Sequence, residues 1–217
     1  MAKKQQRSDT SSKARFNNKP IKPKKTESKG EYMGLVWESY TELAFLYWAE
    51  ELKKQGYITH IQRAPSYLLS DALTNDYAEK MKTKSKPVNQ HISHGHSYSP
   101  DYELLWDYKK ARDKFVWLMG SGTKFDKLFI AHPTDNPHIC RTVIEVKPVF
   151  DYNNMTRAAI LNVKWTYQRH GDWVNICKPM DLFERTFVPK KHMVTMTGKP
   201  RNFKYKPTTL FDYLNNR

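Results

Sequence analysis

The sequence predicts an α/β protein in which a mixed sheet is flanked by helices. Three observations carry that expectation: a helical spacing of apolar residues around residue 45, a β-branched run at residues 142–147, and the order helix, strand, strand, strand, helix, strand along the chain. At 217 residues the chain is long enough for one well-buried domain with extensions and short for two.

In order, residues 1–30 hold ten Lys and Arg against Asp9 and Glu27, a net +8, with few apolar side chains. Such a stretch cannot bury enough apolar surface to offset its ordering entropy, so it is expected to be a disordered basic arm, either a solvated leader or a non-specific phosphate-binding tail. The core is expected over residues 31–190. Residues 38–54 place Leu43, Phe45, Leu46, Trp48, Ala49 and Leu52 at helical spacing, with Ser39 or Thr41 as the cap and Gly56 as the stop. Residues 57–63 have strand composition and end at Pro65. A polar insertion is expected at about 66–98, with a short helix near 71–82, and a strand at 102–106 follows Pro100-Asp101. A second insertion, at about 108–140, contains residues 115–119 and 127–131, which can pair as a hairpin or extend the sheet. Residues 142–147 are the clearest strand, stopped by Pro148. Residues 155–169 read as a helix closed by Gly171, residues 172–177 as a strand, and residues 181–187 as a short helix. Residues 191–217 are expected to be a basic C-terminal extension ending in a turn at 210–214. No internal repeat is found.

Composition narrows function. Hydrophobic residues make up 39% of the chain, with 6 Trp, 13 Tyr and 10 Phe, enough for a core. No apolar run reaches the roughly 20 residues that a spanning helix needs, and no signal-like apolar segment follows the charged start. A cytoplasmic location without membrane association is therefore expected. Cys140 and Cys177 form no Cys-x-x-Cys and are expected to be reduced packing residues. The net charge of +15 points to a polyanionic partner, nucleic acid first, because each neutralised phosphate releases counterions.

Within residues 142–147, Glu145 and Lys147 share one face while Ile144 and Val146 face the other way. Glu-x-Lys also occurs at Glu27/Lys29 and Glu51/Lys53, so the spacing alone says nothing. What separates Glu145/Lys147 is its setting in a β-branched strand, where a polar pair is costly to bury unpartnered. A surface ion pair on a half-exposed sheet is the competing reading. Asp101, a turn residue if taken singly, opens the neighbouring strand. With Glu145 and the backbone carbonyl of Val146 it would make an oxygen-rich site suited to Mg²⁺ or Mn²⁺, beside which Lys147 could orient water and stabilise phosphate charge. His91, His94 and His96 match no metal-ligand spacing and read as a polar loop.

Pro100-Asp101 followed by Glu145-Val146-Lys147 in an apolar strand resembles the PD-(D/E)XK nuclease superfamily, and the order of elements over residues 36–179 resembles its restriction-endonuclease-like core. The resemblance implies a Mg²⁺- or Mn²⁺-dependent endonuclease that hydrolyses DNA phosphodiester bonds. Asp101 and Glu145 would be metal ligands and Lys147 the catalytic lysine. Glu42 on the first helix, with Glu38 as fallback, would be a further ligand. It also implies that Arg157, Lys164 and Gln168, on the helix face opposite Ile160, Val163 and Tyr167, turn toward the substrate. The small basic chain is most similar to phage-type, junction-resolving or recombination nucleases acting on branched DNA as homodimers. A sequence-specific restriction or homing-type enzyme and a non-catalytic nucleic-acid-binding protein on this scaffold are the alternatives. The 43 residues between Asp101 and Glu145 depart from the short hairpin usual there, so the assignment requires the intervening segment to fold away from the site.

Overall fold

The computed structural model describes residues 29–150, 155–195 and 197–215. Most of the expected basic arm at 1–30 lies outside them. Gly30 is already in a strand: β1 (Gly30–Tyr32) pairs with β2 (Leu35–Trp37) through a two-residue turn of Met33 (φ 57°) and Gly34 (φ 76°), a hairpin the sequence reading did not separate from the core.

The helix α1 (Tyr40–Lys54) starts where Ser39 caps it, the Ser39 hydroxyl accepting from the Glu42 N–H at 3.2 Å. It stops at Gly56, whose φ of 71° takes the chain out of the helix. Leu43, Phe45, Leu46, Trp48, Ala49 and Leu52 are all buried against the sheet. Trp48 is the centre of this core. It stacks on Phe45 and Phe187, meets Trp106, Phe115 and Phe129 edge-on, and donates its indole N–H to Thr186 at 3.1 Å.

The sheet is mixed, as expected. Its strands β3 (Ile58–Arg63), β8 (Tyr102–Asp107) and β11 (Ile139–Val146) run antiparallel side by side. The helix α3 (Met155–His170) carries the chain from β11 to β12 (Val174–Cys177), which lies parallel to β11. The far edge of β11 is forked. Its C-terminal half, Val143–Val146, pairs with β12, while Arg141 and Cys140 pair with β10 (Phe129–Pro133), itself extended by the parallel strand β9 (Val116–Leu118). Asn175 closes the fork by imitating a peptide group. It accepts from the Ile130 N–H at 2.9 Å and donates to the carbonyls of Ile130 at 2.9 Å and Val143 at 3.2 Å. The segment around 108–138, which opens with the short helix α2 (Tyr108–Ala111), therefore extends the sheet, and its two strands pair in parallel instead of forming a hairpin.

The first insertion departs from expectation. No helix forms near 71–82. The chain builds β4 (Tyr67–Ser70), β5 (Leu73–Lys80), β6 (Ser85–Ser93) and β7 (His96–Tyr98), with β4 paired to β7 and β5 to β6 in a long ribbon. The segment leaves the sheet after β3 and re-enters at Pro100, and its last strand brings Tyr98 onto Glu145, whereas the stretch between Asp101 and Glu145, the one that the assignment requires to fold away, builds β9 and β10 on the edge of the sheet beyond β11. At the C-terminal end, α4 (Pro179–Arg185) begins two residues earlier than expected because Pro179 supplies the first helical position. The expected 191–217 extension belongs to the body. After a 3-10 turn at Lys190–His192, α5 (Leu210–Asn215) buries Leu210 and Tyr213 in the main core. Among the described residues no helix is long and apolar enough to cross a membrane. Cys140 and Cys177 are free, buried packing residues.

Candidate active site

Asp101 and Glu145 come together because their strands do. The antiparallel register pairs Tyr102 with Ile144, and one step further along it sets Asp101 opposite Glu145. The Asp101 backbone is held from both sides: its N–H donates to the Ile144 carbonyl at 3.0 Å, and its carbonyl accepts from the Ala64 N–H at 3.4 Å. Pro100, with no N–H, ends the ladder there. The Val146 N–H, which would otherwise lack a strand partner on this side, donates at 2.6 Å to Oδ2 of Asp101. In a strand the N–H and C=O of one residue point to the same side, so the Val146 carbonyl faces the same edge as the Asp101 carboxylate.

Glu145 is buried. Its Oε1 lies 2.5 Å from Nζ of Lys147, and its Oε2 accepts from the Tyr98 hydroxyl at 3.0 Å. Lys147 stands one residue past the end of β11, but its N–H still bonds the Cys177 carbonyl at 2.8 Å, which preserves the alternation that puts Glu145 and Lys147 on one face. Tyr98 is a partner that sequence reasoning missed. It sits in the inserted segment, and only the register of β4 with β7 brings it here, so a single sequence carries no signal for it. Burial and the neighbouring Glu145 carboxylate hold its hydroxyl firmly protonated.

The electrostatics set Asp101 apart. Burial, then the Glu145 charge and more weakly Glu42, push its carboxyl up from 3.8 to about 7, against the lowering effects of the Val146 N–H bond and Lys147. Two adjacent carboxylates, Glu145 buried and Asp101 half-buried and held partly protonated near neutrality, together with a carbonyl on the same edge, are a donor set that fits a hard divalent cation. Among the described residues no three His, Cys, Asp or Glu side chains converge as a metal-ligand group.

The other expected site residues are less closely engaged. Glu42 is buried, but its two oxygens accept from the Glu38 N–H at 3.0 Å and the Ser39 hydroxyl at 2.9 Å, completing the cap of α1. Its link to the site is its charge, felt at Asp101. Arg157, Lys164 and Gln168 are exposed on α3. The buried face of that helix is Ala159, Val163 and Thr166, whereas Ile160 and Tyr167, expected to face inward with Val163, are exposed. Gln168 borders a shallow pocket with Leu69, Ser70, Trp165 and Arg169, whose walls include neither Asp101 nor Glu145. The three histidines do not form one cluster: the His91 and His94 rings lie 4.2 Å apart, while His96 bonds Asn162 at 3.0 Å and meets Trp165. Lys147 also opens onto a groove of about 1010 Å³ lined by Tyr40, Phe150, Arg201, Phe203 and Tyr205. Phe203 and Tyr205 pack against the core, so they anchor the C-terminal segment.

Comparison with known proteins gives no matching family model, no matching curated protein and no matching solved structure.

Proposed function

We propose that this chain is a divalent-metal-dependent endonuclease of the PD-(D/E)XK type that hydrolyses DNA phosphodiester bonds. The observation that carries the reading is the pairing of Asp101 with Glu145 across two hydrogen-bonded strands, with the Lys147 ammonium on Glu145. The order α1, β3, β8, β11, α3, β12 supports assigning the core to the restriction-endonuclease-like fold.

Asp101, Glu145 and the Val146 carbonyl would hold Mg²⁺ or Mn²⁺, which when bound would supply Lewis-acid polarisation of a phosphodiester oxygen and of water. The chain's own groups do the rest. Tyr98 and Lys147 hold the Glu145 carboxylate in one orientation, and the Val146 N–H does the same for Asp101. The Lys147 ammonium lines the groove, where it can donate to a phosphate oxygen as a second partner and stabilise the charge that builds on it. The charge of +15 favours the polyanion over a small phosphodiester. Branched DNA cut by a pair of identical chains is the specific form proposed, since cutting two strands takes two such sites.

The test is cleavage of supercoiled plasmid and of a labelled four-way junction in Mg²⁺, Mn²⁺ or EDTA by the native chain, Asp101→Ala and Lys147→Ala. Metal-dependent cutting lost in both variants, with DNA binding kept, supports the reading. Tight binding with no metal-dependent cutting of any substrate overturns it in favour of a non-catalytic nucleic-acid-binding protein.

A further inference from the structure

The β5–β6 ribbon is built unlike the other strands among the described residues. Every residue of β5 is exposed, and so is every residue of β6 except the half-buried Val88. Two-stranded ribbons with no buried face are marginal in water, and the body lends this one support only at its root. There, α3 grips the β4–β7 pair: Arg169 donates to the Leu69 carbonyl at 3.1 Å and pairs with Asp71 at 2.8 Å, and the His170 ring bonds the Leu68 carbonyl at 2.9 Å. Beyond the root, eight residues of β5 at about 3.3 Å each carry the tip roughly 26 Å outward.

Charge is concentrated at that tip. Residues 79–86 contain Lys80, Lys82, Lys84 and Lys86 against Glu79 alone, all exposed, around a tight turn closed by the Met81 N–H on the Lys84 carbonyl at 2.8 Å. The acidic residue on the shaft, Asp76, is engaged across the ribbon by Asn89 at 2.6 Å and does not offset the tip. An exposed ribbon with a cationic end fits one kind of partner well. A two-stranded β-ribbon enters the major groove of B-DNA, and lysines spaced along it meet the phosphates on the rim.

We propose that the β5–β6 ribbon is a grip on duplex DNA flanking the cut site, with Lys80, Lys82, Lys84 and Lys86 lying on backbone phosphates outward of the Asp101–Glu145 pair. The inference rests on the DNA-cutting reading only in taking DNA as the partner. The return strand couples grip to site, because β7 carries Tyr98 onto Glu145 and leads through Pro100 into Asp101.

The experiment compares the full native chain with a variant carrying Lys80→Gln, Lys82→Gln, Lys84→Gln and Lys86→Gln, with circular dichroism and Tm confirming equal folding. Binding to 30-base-pair and 10-base-pair duplexes is measured by anisotropy in EDTA across a salt series. On the long duplex the variant should bind at least tenfold more weakly at 0.1 M salt, with a slope of log affinity against log salt lower by about 3, and the difference should vanish on the short duplex. Equal slopes on the long duplex, or a native chain that does not bind it, overturn the proposal. So does conversion of a dimer to monomers by the four substitutions, which would assign the tip to a second copy of the chain. Cleavage in Mg²⁺, read separately, keeps the two readings apart. Cutting with equal slopes removes the grip and leaves the nuclease, whereas a reduced slope with no cutting by either protein leaves the grip and removes the nuclease.

Discussion

Two ionic clusters occupy the same face of β11, and they are made of nearly the same parts. At one end Arg141 meets two carboxylates, Glu103 at 3.3 Å and Asp172, while Tyr67 donates to Asp172 at 3.0 Å and Gln62 to Glu103 at 2.7 Å. At the other end Lys147 meets Glu145 while Tyr98 donates to Glu145. Each cluster is one cation, two carboxylates and a tyrosine. The difference is reach. The Arg141 guanidinium is a planar fork and spans both of its carboxylates, whereas the Lys147 ammonium is a point charge and serves one. Among the described residues Asp101 has no cation within ion-pair distance, and its carboxyl rises to about 7. A completed cluster holds the fold together, and an incomplete one retains capacity for a further cation.

Exchanging roles between the clusters fails in opposite ways. The first expected effect is at Lys147: Lys147→Ala should lower single-turnover cleavage by about 10²–10³-fold, at a cost in stability smaller than that of Arg141→Ala because one carboxylate and not two loses its cation. Arg141→Ala should do the reverse. It leaves Glu103 and Asp172 facing each other largely buried, costing about 2–3 kcal/mol in a urea titration, with cleavage per folded molecule unchanged. Third, Asp101→Asn should stabilise the protein while abolishing cutting, since the amide still accepts from Val146 and no longer repels Glu145. The sign follows from the raised carboxyl: folding binds the proton more tightly, so stability from this group is fullest below about pH 4 and is lost as pH rises through about 7. The gain in Asp101→Asn should accordingly be near zero at pH 4 and about 4 kcal/mol at pH 8 in EDTA, read as Tm against pH. A gain that does not grow with pH would break the comparison. The smallest effect is at Tyr98: Tyr98→Phe should cost about 1 kcal/mol of stability and slow cleavage about tenfold, measured at saturating substrate.

Where one face of an element is buried, the sequence announces it. The helix α1, the strand β11 and the span of α3 follow from apolar spacing, and Asp101 and Glu145 meet because two readable strands pair. The ribbon β5–β6 was not legible because neither of its faces is buried. Residues 71–82 show no period of two, and their Ala, Glu and Lys content resembles a helix. The buried side of α3 differs from the expected one because Ile160 and Tyr167, apolar in composition, lie on the exposed face, while Thr166 points inward and bonds the Asn162 carbonyl at 2.8 Å. Tyr98, Asn175 and the partners of Arg141 act through register between segments distant in sequence, a property no local window contains.

The forked edge of β11 has a consequence for change over time. Because Asn175 supplies the peptide-like bonds between β10 and the β11–β12 pair, the strands that fix Lys147 end their own ladder without help from the segment around 112–128. Its exposed loop at 120–126, between β9 and β10, can lengthen, shorten or be replaced while the register that sets Asp101 opposite Glu145 stands, which makes it the place where a chain of this architecture tolerates change.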